Sequence, residues 1–225
     1  MKLKDFTKIY FVILLLHLVA IDVGDDVRLI YLSKPLLLAS LMAFFWHHTP
    51  DRSRAEKLFM GGLIFSLIGD ILLMFTEKAE LYFMLGLGAF LLAQVNYILA
   101  FLNDARGKGG LVKAKPWLAL PVLAYGAWFV FQLYPGLGDL LLPVVLYAAV
   151  LMVMLIAAIN RGGAVLPRSA SLVIIGALFF VLSDSALAYA KFVDAFSYNR
   201  LVVMSTYGVA QFFLVWGFLF PKLEK

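Results

Sequence analysis

Residues 116–160 read PWLALPVLAYGAWFVFQLYPGLGDLLLPVVLYAAVLMVMLIAAIN, and Asp139 is the single Asp, Glu, Lys or Arg among them. That residue divides the stretch into uncharged runs 116–138 and 140–160. A helix crosses the hydrocarbon core of a bilayer with roughly 20 mainly apolar residues. Both runs meet that length. So do 81–103 and 201–221, which are also free of charge. Three shorter runs, 35–50, 58–69 and 169–183, become long enough when one ionisable residue is admitted to each, namely Lys34, Asp70 and Asp184. The run 9–21 completes a first helix with Thr7 and Lys8 at the interface, because long basic side chains snorkel. The reading is an all-α membrane protein with eight transmembrane helices over 6–22, 29–46, 58–76, 81–102, 117–134, 140–159, 171–191 and 201–220.

Composition agrees. Of the 225 residues, 64% are hydrophobic and 15% charged, against about 45–50% and about 25% in soluble domains. A soluble enzyme of this size could not hide that much apolar surface, and a nucleic-acid partner or a disordered chain is excluded. No cysteine is present, which removes disulfides, Cys-ligated zinc and thiol nucleophiles together. Lys2 and Lys4 before the first apolar run resemble a signal peptide, but Ala20-Ile21-Asp22 is a poor cleavage site. The segment is read as a retained helix.

The basic residues test the helix count. One set of connections carries Lys2, Lys4 and Lys8, then Arg52, Arg54 and Lys57, then Arg106, Lys108, Lys113 and Lys115, then Arg161 and Arg168, and finally Lys222 and Lys225. The alternate set holds Arg28, Lys78, Lys191 and Arg200. Fourteen against four is a strong positive-inside bias. It predicts eight spans with both termini in the cytoplasm, and the chain is read as a multipass protein of a bacterial inner (cytoplasmic) membrane. The longest connection, 103–116, contains Gly107, Gly109 and Gly110 and reads as a flexible loop. Asp22, Asp25 and Asp26 form an acidic outer loop. One transmembrane domain covers 1–225.

The third and seventh helices resemble each other. Gly62, Phe65, Ile68, Gly69, Asp70 and Leu73 align without a gap on Gly176, Phe179, Leu182, Ser183, Asp184 and Leu187. Pro35 and Pro143 recur near the outer ends of the second and sixth helices. This suggests two parallel four-helix repeats, 1–105 and 115–225, with Asp70 and Asp184 at equal depth. Each aspartate lies about 12 residues, roughly 18 Å, from the inner end of its helix.

An Asp or Lys inside a bilayer costs about 2.5–3.5 kcal/mol on insertion scales. Three such residues require a purpose. Lys34, Asp70, Asp184, Tyr147 and Tyr207 fall in the outer half, with Gln94, Tyr97 and Gln211 deeper, and they could converge on one polar pocket. A Lys–Asp staple between helices, interfacial tyrosines and interhelical glutamine bonds are the plainer alternatives. His47 and His48 sit beside Trp46 at the inner interface, and no histidine pair has metal-ligand spacing, so neither a metal nor a cofactor is expected. Paired acids also suit a small-molecule or lipid transporter with an intramembrane Asp/Lys site. An intramembrane aspartyl protease is disfavoured, because the sequences Leu67-Ile68-Gly69-Asp70 and Leu182-Ser183-Asp184 lack its motifs.

Tyr31-Leu-Ser-Lys34-Pro35-Leu36, Ser66-Leu-Ile-Gly69-Asp70, Gln94-x-x-Tyr97, Pro143-x-x-x-Tyr147, Leu182-Ser183-Asp184-Ser185 and Tyr207-x-x-Ala-Gln211 occur in this order. Together this set resembles the YhhN-like lysoplasmalogenase family of multipass membrane proteins. The resemblance implies hydrolysis of the vinyl ether bond of lysoplasmalogen, a lysophospholipid, to a fatty aldehyde and a glycerophospho-base. For such chemistry Asp70 and Asp184 are read as the catalytic pair, with either of them as the acid. Lys34 would hold the headgroup phosphate or keep one aspartate ionised, and Tyr147, Tyr207, Gln94, Gln211, Tyr97 and Ser183 are read as substrate-binding, orienting the headgroup or the water. The chemistry suits the residues. A vinyl ether hydrolyses through protonation at carbon and an oxocarbenium ion, as glycosides pass through a similar ion between two carboxyls. Desolvation favours the protonated acid such a step requires.

Overall fold

In hydrocarbon every backbone N–H and C=O must be satisfied within the chain, so long apolar segments become helices. A computed structural model describes residues 2–24 and 27–223, and every regular element among them is helical. Eight long helices follow one another: α1 (Leu3–Val23), α2 (Val27–His48), α3 (Arg54–Leu73), α4 (Glu80–Asp104), α5 (Leu120–Leu137), α6 (Leu141–Asn160), α7 (Pro167–Phe192) and α8 (Asn199–Leu223). Asp25 and Asp26 of the acidic loop and Lys225 of the tail lie outside the described residues.

Among the described residues six stretches are long and apolar enough to cross a membrane: Leu3–Val23, Arg28–His48, Glu80–Asp104, Pro116–Asn160, Pro167–Phe192 and Asn199–Leu223. The fourth of these contains both α5 and α6. α3 is not among them, because it carries Arg54, Glu56, Lys57 and Asp70. The chain is a multipass integral membrane protein. Its outer faces agree: Leu142 is 78% exposed, Leu32 75% and Phe131 73%, a distribution that only lipid makes tolerable.

Local chemistry sets the helix ends. α3 starts four residues earlier than the hydropathy predicts, because Ser53 caps it. The Glu56 N–H donates to the Ser53 hydroxyl at 3.3 Å and the Ser53 N–H donates to the Glu56 carboxylate at 2.7 Å, a reciprocal box that satisfies two otherwise orphaned donors. α1 ends at Gly24, whose φ of +70° lets its N–H reach the Ala20 carbonyl, the left-handed cap glycine allows. The connection 103–116 is not the free loop its glycines suggest. It contains a helical turn, Leu111–Ala114, whose Leu111 N–H donates to the Gly162 carbonyl at 2.7 Å and whose Lys113 N–H donates to the Asn160 side chain at 3.1 Å. Close backbone approach to the end of α6 is what Gly110 permits there.

Packing is most extensive between α3 and α4 and between α7 and α8. Glycine makes the second contact possible: a Cβ on Gly176 would lie 2.7 Å from the Leu214 nitrogen. The core at one end of the bundle is aromatic, with Phe59 stacked on Phe218 at 4.4 Å and on Phe45 at 5.0 Å. Ion pairs tie equivalent helix ends. Lys222 at the end of α8 meets Glu56 at the start of α3 at 2.6 Å, and Arg161 after α6 meets Asp104 at the end of α4 at 2.7 Å. At the opposite end Arg200 meets Glu77 at 3.2 Å. Acids at the start of α3 and the end of α4 thus hold Lys222 and Arg161.

Candidate active site

The polar residues within the helices form two groups. The first surrounds Asp70, which α3 presents 2% exposed. Lys34 of α2 brings its ammonium to 3.5 Å from Oδ1. The Tyr207 hydroxyl of α8 donates to Oδ2 at 2.8 Å. Gln211, one turn further along α8 and therefore on the same face, donates to the Tyr207 oxygen at 3.3 Å and accepts from the Tyr97 hydroxyl of α4 at 2.8 Å. The result is a relay, Tyr97 to Gln211 to Tyr207 to Asp70, with Lys34 supplying the countercharge. A buried carboxylate requires both a counter-ion and hydrogen bonds to offset its lost hydration; Asp70 has them.

The second group surrounds Asp184. The Tyr147 hydroxyl of α6 donates to Asp184 Oδ2 at 2.5 Å. No cation lies within ion-pair distance of this carboxyl among the described residues. Tyr125 and Ser185 hydrogen-bond each other at 2.8 Å nearby. The amide of Gln94 adjoins the Tyr147 hydroxyl, yet neither its nitrogen nor its oxygen has a partner within hydrogen-bond geometry. Such an orphaned buried amide is uncommon, and it leaves two donors and an acceptor for a small polar guest.

Asp184 stands in the wall of a cavity that the Asp70 group does not line. Its volume is about 70 Å³. α3 to α7 all contribute. Leu133, Val144 and Phe192 border one end, Gly126, Leu151 and Met152 the other, and Tyr147, Asp184, Ser185 and the Tyr125 bonded to it are the polar residues of the wall. Phe90 borders both groups: it lines the cavity and meets the Tyr207 ring edge-on at 5.9 Å.

Of the residues singled out by sequence, Lys34, Asp70, Tyr207, Gln211 and Tyr97 assemble around one carboxyl, and Tyr147 and Gln94 around the other. The two carboxyls lie within electrostatic reach, but no hydrogen bond joins them, so they do not share one proton directly. Lys34 serves Asp70 and does not line the cavity. Ser183 also stays outside it, donating instead to the Val203 carbonyl of α8 at 3.0 Å. Tyr125, Phe129 and Met152 were not foreseen. Hydropathy gives a lining residue no mark that separates it from a lipid-facing one. His17, 0% exposed, hydrogen-bonds Ser33 at 2.8 Å. No group of three His, Asp or Glu side chains gathers to hold a metal among the described residues.

The sequence also resembles known proteins. The family model described as the YhhN family matches residues 29–218. A human protein named lysoplasmalogenase TMEM86B is 33% identical over 195 residues, covering 86% of this chain and 77% of its own. The mouse protein of the same name is 33% identical over 198 residues, covering 88% and 77%. Human lysoplasmalogenase TMEM86A is 34% identical over 180 residues, covering 78% and 68%. No solved structure matches the chain. The match spans α2 to α8 and so includes both carboxyl groups and every residue around them: this chain belongs to the YhhN family.

Proposed function

We propose that this chain hydrolyses the vinyl ether bond of lysoplasmalogens within the membrane, releasing a fatty aldehyde and a glycerophospho-base. The observation that carries the reading is Asp184, a carboxyl bonded by Tyr147 in the wall of an otherwise apolar cavity. The names of its relatives agree.

Asp184 is the acid. An apolar wall without a cation favours the uncharged carboxyl over the carboxylate. Tyr147 donates to Oδ2, which leaves the acidic proton on Oδ1 free to face the cavity. That proton moves to the alkenyl carbon β to the ether oxygen. The adjacent carbon and the ether oxygen then share the positive charge of an oxocarbenium ion. Water adds to that carbon and returns a proton to the Asp184 carboxylate. The resulting hemiacetal collapses: its hydroxyl gives up a proton to become the aldehyde carbonyl, the bond between the hemiacetal carbon and the glycerol oxygen breaks, and that oxygen takes up a proton. Tyr147 holds the carboxyl in orientation throughout, and the free amide of Gln94 positions the attacking water.

Asp70 has a different role. With Lys34 and Tyr207 as partners it is the fixed carboxylate, and its negative charge favours the build-up of positive charge more than a neutral wall would. Preorganised charge aimed at a developing ion is commonly the largest catalytic contribution. Tyr97 and Gln211 maintain the geometry of Tyr207. The fatty chain extends past Asp184 towards Gly126, Leu151 and Met152, which offer only apolar surface.

The same proposal includes eight spans, with α3 crossing as a helix screened from lipid by its neighbours, and with the basic end of the bundle in the cytoplasm of a bacterial inner membrane. The succession of eight long helices and the ion pairs that join the end of α8 to the start of α3 and the end of α6 to the end of α4 support it. Two parallel halves, 1–105 and 115–225, are supported by the extensive α3–α4 and α7–α8 contacts, which would be equivalent under that duplication. A reporter fused to the C-terminus tests the orientation: activity in the cytoplasm supports it, and activity across the membrane overturns it.

Incubation of the purified protein with lysoplasmenyl lipid in ¹⁸O-water tests the chemistry. Aldehyde should form, and the released glycerol should retain its original unlabelled oxygen. Label in the glycerol would mean that the bond on the other side of the oxygen breaks.

A further inference from the structure

We infer that Lys191, Glu80 and Asp139 form a headgroup subsite for a zwitterionic phospho-base at the outer mouth of the Asp184 cavity; this rests on the hydrolase reading above. A second pocket is lined by Glu80, Met84, Gly136, Asp139, Lys191 and Phe192 among others, and Phe192 also borders the catalytic cavity. The two spaces are therefore adjacent. The Lys191 ammonium lies 4.2 Å from the centre of the Phe83 ring and 5.7 Å from that of Phe192, and both rings line the cavity. Phe83 and Phe192 meet edge-on at 6.0 Å. Gly136 sits against the Phe192 carbonyl with no room for a Cβ, which brings the α5–α6 turn and Asp139 up to the end of α7.

Helix periodicity sets the register. Lys191 follows Asp184 by seven residues, two turns along one face of α7 and about 10 Å of rise. Ala188, between them, lines the cavity and leaves space. On α4, Glu80, Phe83, Leu87, Phe90 and Gln94 recur at alternating steps of three and four, so they share one face. Both helices thus run from charge at the mouth, through apolar wall, to the polar residues of the catalytic group. That order matches a lysoplasmalogen: a charged headgroup, a glycerol, then the vinyl ether. The offset suits an extended glycerophosphate plus the reach of a lysine side chain.

Charge selects the ligand. Lys191 makes no ion pair with either carboxylate among the described residues, so its ammonium is available to a phosphate. Glu80 and Asp139, both exposed, suit the cationic base at the other end of the headgroup. A wholly anionic headgroup would satisfy the lysine and be repelled by the acids. Lys34, by contrast, is held by Asp70 and does not reach this mouth.

The test is equilibrium binding of three non-hydrolysable saturated ether lipids to the purified full chain in nanodiscs. They are 1-O-alkyl-glycerophosphoethanolamine, 1-O-alkyl-glycerophosphate and 1-O-alkylglycerol. Lys191→Gln should weaken the two phosphate ligands about tenfold while leaving alkylglycerol within about twofold. Glu80→Gln with Asp139→Asn should weaken the phosphoethanolamine ligand and tighten the phosphate one. Unchanged affinities, or equal losses for all three ligands, would overturn the assignment. Aldehyde release by the wild type is measured separately. The binding pattern without aldehyde keeps the subsite and removes the hydrolase; aldehyde without the pattern does the reverse.

Discussion

Replacing Lys34 with Met should destabilise the protein far more than replacing Lys34 and Asp70 together. The ammonium lies 3.5 Å from the carboxylate, and the two side chains are 12% and 3% exposed. At that distance and an effective dielectric near 20, the attraction is about 5 kcal/mol, and little solvent screens it. Desolvation of both ions offsets much of this, so the intact pair contributes little net stability. Removing the lysine alone is another matter, because it strands a buried carboxylate, at a cost of about 3–5 kcal/mol. Lys34→Met with Asp70→Asn removes that charge and keeps an acceptor for the Tyr207 hydroxyl. The double variant should therefore recover at least about 2 kcal/mol of the loss. Unfolding in detergent, followed by tryptophan fluorescence for the wild type, both single variants and the double variant, measures the coupling. Additive losses would refute the reasoning, since they would mean that the two residues are stabilised independently of each other.

Three further outcomes follow from named contacts. Tyr147→Phe should lower kcat by about 10²-fold with little change in KM, because it removes the 2.5 Å bond that orients the acid and touches no binding surface of the headgroup. Asp104→Asn should cost about 3–5 kcal/mol of stability, because Arg161 is 0% exposed and Asp104 is its countercharge. Burial holds the Arg161 guanidinium below its ordinary range and Asp104 pulls it back up. Differential scanning fluorimetry reads that loss, and wild-type stability in the variant would contradict it. The Glu56 carboxyl is held below its ordinary range: burial alone would raise it, but hydrogen bonds from Lys222 and Ser53 outweigh burial. Its contribution is therefore complete above the ordinary glutamate range and is lost as the pH falls through that range and below. Glu56→Gln should flatten this acid limb of a stability-against-pH curve, and an unchanged limb would contradict the assignment.

Much of the helical layout was legible in the sequence, because bilayer thickness demands long uncharged runs and the alternating basic connections provide an independent check. The start of α3 was also written there, as Ser53-Arg54-Ala55-Glu56, but a capping box is a polar signal that hydropathy passes over. The docking of the 103–116 connection was not legible: it depends on Asn160 and Gly162, which are distant in sequence and unremarkable in type. The unusual intramembrane residues identified the candidate site by their cost alone. Their partners could not be assigned that way. Tyr147 belongs with Asp184 and Tyr207 with Asp70 because of how α6 and α8 turn towards α7 and α3, and neither rotation has a signature in helices that are apolar on nearly every face. Ser183 carries the motif position beside Asp184, yet it lies about 100° round the helix and faces α8. Lys191 read only as one of four basic residues on the outer side. Its relation to Asp184 emerges once α7 is seen to continue unbroken to Phe192.

The most direct test is the rate of fatty aldehyde release from lysoplasmenyl-phosphoethanolamine by the purified wild type and by Asp184→Asn, with binding of the saturated ether analogue measured on the same samples. The account predicts aldehyde and glycerophosphoethanolamine in equal amounts from the wild type. It predicts a loss of at least about 10²-fold in the variant, with analogue binding retained. An Asp184→Asn protein that binds the analogue and still releases aldehyde at the wild-type rate would contradict it.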